Sequence, residues 1–106
     1  MRLSGHKGWN DSMSTINELV SMCRAHNISL MIFHYRLRVD TENPLLHDVV
    51  SHAKGVPVKD VGEWFAGHDI STLILSKVDP HPNAEAHRMM AEYMAVDIQN
   101  FLVTPR

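Results

Sequence analysis

The sequence has a single cysteine, no long apolar run and no cluster of basic residues. Cys23 cannot form an internal disulfide, and its place on an apolar helical face predicts a small core residue. No run approaches the ~20 apolar residues that a membrane-spanning helix needs, so we expect no membrane span. A formal net charge of -2 without a basic stripe gives no reason to expect nucleic acid as a partner.

The N-terminal residues also show no pattern typical of a targeting signal. Residues 1–10 are polar and lack the apolar centre of a signal peptide, which leaves the localisation unknown, with the cytoplasm as the default expectation. What is present is ordinary globular composition, with 44% hydrophobic and 21% charged residues in a chain of 106. We find no repeat and no linker. The length suits one small domain, and we take residues 1–106 as that domain.

Helical and extended patterns alternate along the chain. Residues 11–26 predict a first helix, capped by Asp11 or Ser12 and stopped by Asn27 in a left-handed conformation. Asn43 and the proline after it open a second helix that ends at Gly55. Gly62 and Gly67 bracket a helical turn that contains Trp64 and Phe65, both expected to fill core. A last helix over about 84–102 begins near Asn83 or Asp79. Its predicted buried side carries Met90, Met94, Ile98, Phe101 and Leu102.

Two segments predict parallel strands. Residues 28–35 form a nearly unbroken apolar run, typical of a strand covered on both faces. Residues 56–61 predict a second strand, with Pro57 at its start or at a sheet edge. Alternating helices and strands indicate an α/β sandwich with parallel strands. Because two strands make a poor sheet on their own, the chain reads as the end of a larger α/β fold.

The densest chemical signal is Asp79-Pro-His81-Pro, just before the last helix. Both prolines fix φ and stiffen this turn, which suits a histidine that must be held near a nucleophile. The Asp79 carboxylate can accept a hydrogen bond from one imidazole nitrogen and leave the other as a base. Histidine is suited to this role because it exchanges a proton near neutral pH. The plain alternative is that Asp79 caps the helix and His81 packs locally.

The segment Asp79-Pro-His-Pro-Asn-Ala-Glu-Ala-His87-Arg resembles the last sequence block of the SGNH (GDSL-type) serine ester hydrolases. Residues 9–35 resemble the part of that family that leads into its fourth strand, and residues 56–61 resemble its fifth strand. The resemblance implies the C-terminal part of a flavodoxin-like three-layer α/β/α sandwich. It implies hydrolysis of carboxylic esters by a Ser-His-Asp triad, with Asp79 and His81 as the catalytic pair and no cofactor.

The sequence departs from the family in what it lacks. It has no Gly-Asp-Ser-like block and no glycine block for the oxyanion, so the source of the nucleophile is open. Residues 8–11, Gly-Trp-Asn-Asp, match the family's Gly-x-Asn-Asp pattern, but no apolar strand precedes them. We interpret Asn10 and Asp11 as helix-capping residues. Ser4 has no strand before it and is a poor nucleophile candidate. Without the nucleophile block, we expect the chain alone to be inactive.

Other candidates are weaker. Tyr35 and Arg36 follow the first strand, where α/β sheets place their ligands, and could contact a substrate or simply pack in the loop. A metal site from Asp79, His81 and His87 lacks a supporting His-x-x-x-His or cysteine pair, so we expect no metal. The alternative to an esterase is a non-catalytic structural or interaction domain. In either case the apolar edge of residues 28–35 predicts a homo-oligomer. The only partner expected beyond that is a small ester, once the site is complete.

Overall fold

The computed structural model describes residues 6–37 and 44–104. Helices account for 61% of these residues, and the strands are short, so the chain mixes helix and strand as an α/β protein does. The chain groups into two compact units. Of the described residues, unit 1 comprises 6–34 and 44–60, and unit 2 comprises 35–37 and 61–104.

Unit 1 is built on two helices in contact, α1 (Lys7–Ala25) and α2 (Pro44–Ala53). The Trp9 indole N–H donates to Asp48 Oδ2 on α2 at 3.0 Å. The Arg24 guanidinium donates to the carbonyl of Lys54, just beyond the end of α2. The buried apolar side chains of the two helices are Met13, Val20, Cys23, Val49 and Ala53. The prediction that Cys23 is a small core residue is therefore confirmed.

The first helix begins earlier than its capping signal predicts. His6 is the N-cap and makes no side-chain cap bond, while its carbonyl accepts from the Asn10 N–H at 2.9 Å. Asp11 lies inside the helix, where its carboxylate pairs with Lys7 at 2.7 Å. The expectations that Asp11 or Ser12 caps the helix, and that Asn10 is a capping residue, are wrong, because the helix begins at Lys7 and all three residues lie inside it. The predicted left-handed stop at Asn27 is confirmed by its φ of 56°.

The two parallel strands are shorter than their apolar runs suggest. β1 (Ile32–His34) pairs with β2 (Val58–Asp60) in parallel, with Ile32 opposite Val58. The predicted start at Ile28 is wrong because the Ile28 N–H donates to the Cys23 carbonyl at 2.8 Å, which makes this residue part of the helix end. The β1 side chains are half-buried, so the prediction of a strand covered on both faces is also not met.

Unit 2 contains a small antiparallel hairpin that the sequence patterns did not predict. A 3₁₀ turn (Val61–Phe65) and a second one (Ile70–Thr72) lead into β3 (Ile74–Ser76), which pairs with β4 (Asp79–Pro82). The segment predicted as a rigid turn, residues 79–82, is therefore β4. Phe65 and Leu73 are almost completely buried and anchor the unit. Trp64 is half-buried and stacks on Tyr93, with ring centroids 5.4 Å apart.

The last helix, α3 (Ala84–Val103), packs on β4 and on the first 3₁₀ turn. Its start at Asn83 is as predicted, but its predicted buried side is right only at its N-terminal end. Met90 is buried, whereas Ile98 and Leu102 are exposed, Leu102 by 74%. The apolar pattern thus extends to the C-terminal end of α3, whereas the buried part of the helix, within the described residues, is its N-terminal half. No helix in the described ranges is long and apolar enough to cross a membrane.

Candidate functional site

Asp79 and His81, the two residues that the sequence predicts as a catalytic pair, are joined by a hydrogen bond in unit 2. Asp79 Oδ1 lies 2.5 Å from His81 Nδ1, on β4 just before the start of α3. The contact is local, because the Asp79 side chain reaches forward to residue 81 as in an Asx-turn, at a point where the β3–β4 register shifts. The same Asp79 oxygen accepts from the His81 backbone N–H at 3.3 Å. The prediction that these side chains approach within hydrogen-bonding range is confirmed.

The hydrogen bond determines which form of each side chain is favoured. The bond from His81 holds the pKa of the Asp79 carboxyl below its usual range, so Asp79 is the charged acceptor. His81 Nδ1 then carries the proton, and in the neutral ring Nε2 is the nitrogen with a free lone pair. This is the orientation that a carboxylate imposes on a general-base histidine.

A polar contact fixes the tip of the hairpin that carries the pair. The Asp79 backbone N–H donates to Ser76 Oγ at 3.1 Å, across the turn formed by residues 77 and 78. Ser76 is also the residue opposite Asp79 in the β3–β4 pairing. The hydroxyl therefore closes the turn immediately before the carboxylate that orients His81.

The pair is open to solvent. The His81 side chain is 81% exposed and that of Asp79 is 48% exposed. Within residues 6–37 and 44–104, no serine hydroxyl is hydrogen-bonded to the His81 ring. Ser4 lies outside the described residues. The arrangement can accept and return a proton at Nε2, but the described part of the chain brings no nucleophile to it.

Tyr35, one of the two weaker candidates, lines an apolar groove of about 510 Å³ in unit 2. The floor is the face of α3 that carries His87, Met90 and Met94, with Pro82 of β4 and Ala91 completing the lining. Partial burial raises the pKa of the Tyr35 hydroxyl. Pro82 lines the groove, whereas Asp79 and His81 of the same strand do not.

Arg36 is placed differently from Tyr35. It packs closely over Gly62, where a Cβ would lie only 2.6 Å from Arg36 Cγ, so the glycine makes room for the arginine stem. Arg36 is not among the residues that line the groove. His87 lies on the groove floor and makes no hydrogen bond to Asp79 or His81. Among the described residues, no three His, Cys, Asp or Glu side chains are grouped as a metal site would require.

Residues 8–11, which match the Gly-x-Asn-Asp pattern, are part of α1 in unit 1. They are helical, in a position where neither Asn10 nor Asp11 caps the helix.

Sequence reasoning did not find two contributors to the site. Ser76 carries no signal, since a single serine between an apolar run and Lys77 is unremarkable. Asn83 is recognisable as a helix cap, but its bonds to residues 72 and 74 join segments that no sequence periodicity connects. Both residues bond to the backbone of the hairpin and not to the side chains of Asp79 and His81.

Comparisons with known proteins add no further constraint. No family model, no curated protein and no solved structure matches this chain.

Proposed function

We propose that this chain is the C-terminal part of a carboxylic ester hydrolase of the SGNH type, carrying the Asp and His of a Ser-His-Asp triad. On this proposal the two units belong to a flavodoxin-like α/β/α sandwich. The observation that carries the proposal is the 2.5 Å contact between Asp79 Oδ1 and His81 Nδ1 immediately before the last helix. The resemblance of residues 79–88 to the family's last block is independent support for it.

In the proposed mechanism, His81 Nε2 takes the proton from a serine hydroxyl as that oxygen attacks the ester carbonyl. The alkoxide of the substrate leaves with the proton from His81, and an acyl-serine forms. Water then attacks the acyl-serine, with His81 again acting as base and then as acid. Asp79 stays ionised throughout, keeps Nδ1 protonated and stabilises the imidazolium. The serine is supplied from outside the described residues.

The test compares this chain with one extended upstream in its reading frame, using p-nitrophenyl acetate and an unactivated alkyl ester. The chain alone should hydrolyse neither substrate faster than its His81→Ala variant. In the extended chain, His81→Ala should lower kcat by about 10²–10⁴-fold, the contribution of a positioned general base. His68→Ala, which removes another exposed histidine, controls for the slow attack of free imidazole on the activated ester.

Two outcomes would contradict the proposal. One is an extended chain whose rate on the alkyl ester is the same with and without His81. The other is a reading frame with no Gly-Asp-Ser-like segment upstream of the Met1 codon. A narrower part of the proposal is that the nucleophile comes from outside the described residues. It would be contradicted if the chain alone hydrolysed an ester in a way that depends on both His81 and one of its own serines.

One observation favours a second candidate, a non-catalytic structural or interaction domain derived from the same fold. In a working triad the aspartate is buried, which strengthens its hold on the histidine, whereas both side chains here are open to water. On this alternative the Asp79–His81 bond only stabilises the hairpin. The extended chain distinguishes the two, because only the esterase loses turnover when His81 is replaced.

A further inference from the structure

Asn83 connects the start of α3 to residues 72–74 of unit 2 by hydrogen bonds from its side chain and its backbone N–H. Its Oδ1 accepts from the Ala86 N–H at 3.0 Å, which caps α3. Its Nδ2 donates to the carbonyls of Thr72 at 2.8 Å and Ile74 at 3.2 Å. Its backbone N–H donates to the Leu73 carbonyl at 2.9 Å. One side chain thus connects the start of α3 to the segment that enters β3.

The orientation of the amide follows from these partners. Two carbonyl oxygens face one end of the side chain and an N–H group faces the other, so only the first end can be the NH₂ group. A reversed amide would set oxygen against two carbonyls and NH₂ against a donor. The three side-chain bonds are therefore mutually dependent, and an isosteric residue without both functions cannot make them all.

These bonds fix the base of the hairpin whose other end carries the catalytic pair. Ile74 lies opposite Pro82 in the β3–β4 register, and Asn83 follows Pro82 directly. Ser76 closes the tip and Asn83 closes the base, so the strand with Asp79 and His81 is held at both ends. Packing contributes little to the position of His81, because its side chain is 81% exposed.

We propose that Asn83 is a positioning residue for the Asp79–His81 pair. By tying the Thr72 and Ile74 carbonyls to the start of α3, it sets the β4 register in which Asp79 Oδ1 receives the His81 Nδ1–H. The relevance of this role to catalysis rests on the proposed esterase function, whereas the role itself can be measured on the chain without any turnover.

Serine separates the two functions of Asn83. A serine hydroxyl at the N-cap still accepts from the backbone of α3, so Asn83→Ser keeps the cap. It has no amide to donate to the Thr72 and Ile74 carbonyls, and it adds no charge that would disturb Asp79. Asn83→Ala removes both functions. Asn100→Ser, at an exposed position near the other end of α3, is the matched control.

The experiment uses NMR on the whole chain, following the His81 Nδ1–H resonance and the titration of the Asp79 carboxyl. We expect Asn83→Ser to keep a cooperative unfolding transition and a helical α3. It should lose the hydrogen-bonded Nδ1–H resonance, and the Asp79 pKa should rise more than halfway to its ordinary value. Asn100→Ser should change neither signal. An Asn83→Ser chain that is folded and has an unchanged resonance and titration would overturn the proposal.

A second variant covers the case in which Asn83→Ser does not fold. Asn83→Asp retains a strong N-cap without the two amide donors. Its own charge raises the Asp79 pKa, so the His81 resonance is the signal that decides: loss supports the proposal and retention overturns it.

The outcome is separable from that of the esterase test. If Asn83→Ser loses the Asp79–His81 hydrogen bond and the extended chain hydrolyses no ester, the positioning role is supported and the esterase is rejected. A His81-dependent esterase in which Asn83→Ser changes neither the pair nor the rate rejects the positioning role and retains the esterase.

Discussion

Different kinds of interaction stabilise the inside of unit 1 and the inside of unit 2. In unit 1, α1 and α2 contact each other around buried apolar side chains, with Val20 and Ala53 fully enclosed. In unit 2, the hairpin that carries Asp79 and His81 depends on polar side chains bonded to backbone, chiefly Ser76 and Asn83. The Asp79–His81 pair thus lies on a hairpin whose geometry depends strongly on polar side chains bonded to the backbone. A single polar substitution can therefore alter the site without removing a core.

The largest expected effect is a loss of unfolding free energy when a buried side chain of either unit is replaced by alanine. Phe65→Ala, at a side chain only 1% exposed in unit 2, should lower the free energy of unfolding by about 3–5 kcal/mol. Val20→Ala in unit 1 removes less volume and should cost about 2 kcal/mol. The chain has two tryptophans, Trp9 in unit 1 and Trp64 in unit 2, so 5-fluorotryptophan labelling gives one fluorine signal for each unit during urea unfolding.

We expect Phe65→Ala to move the transition of the Trp64 signal and Val20→Ala that of the Trp9 signal. If every variant shifts both signals together, the two units unfold as one, and the contrast between them applies to local geometry and not to stability.

The next effect concerns self-association. Residues 28–35 led us to expect a homo-oligomer through an apolar strand edge in unit 1, while α3 of unit 2 exposes apolar residues of its own. Ile28→Lys, at an exposed position just before β1, should weaken the dimer at least tenfold, which corresponds to about 1.4 kcal/mol. Leu102→Lys, the matched change on α3, should leave the dissociation constant unchanged.

Sedimentation equilibrium at micromolar concentration measures both variants. A clean monomer of 12.0 kDa for the unsubstituted chain, with cooperative unfolding, would refute self-association. A dimer that is weakened only by Leu102→Lys would move the interface from unit 1 to unit 2.

The smallest effect is a pH dependence confined to unit 2. The hydrogen bond from His81 lowers the pKa of Asp79 in the folded chain, so the unfolded chain binds the proton more readily. The contribution of this pair to stability is therefore complete above the ordinary aspartate pKa and is lost as the pH falls through the lowered folded value. Carboxyl NMR should show the Asp79 pKa return toward its ordinary range in His81→Ala.

In both units, the sequence predicted local features better than features that depend on packing. Long segments with a helical period were predicted well: α2 and α3 have nearly the expected bounds, and Asn27 and Gly55 have the positive φ that ends a helix. The approach of Asp79 to His81 was also predicted, because the prolines stiffen a segment in which the two residues are only two apart. Predictions that depended on what covers an apolar run, such as the length of β1 or the burial of Leu102, were wrong.

The sequence by itself therefore determined the helical segments, the positive-φ residues Asn27 and Gly55 that follow the first two helices, and the spacing of two between Asp79 and His81, since these depend on residues close together in the chain. Only the tertiary structure decided that residues 79–82 form a strand against β3, and that Asn83 ties this strand to Thr72 and Ile74. It also decided that the pair stays open to water. The physical reason is that pairing, cross-linking and burial depend on residues distant in sequence, and no local pattern specifies which of them meet.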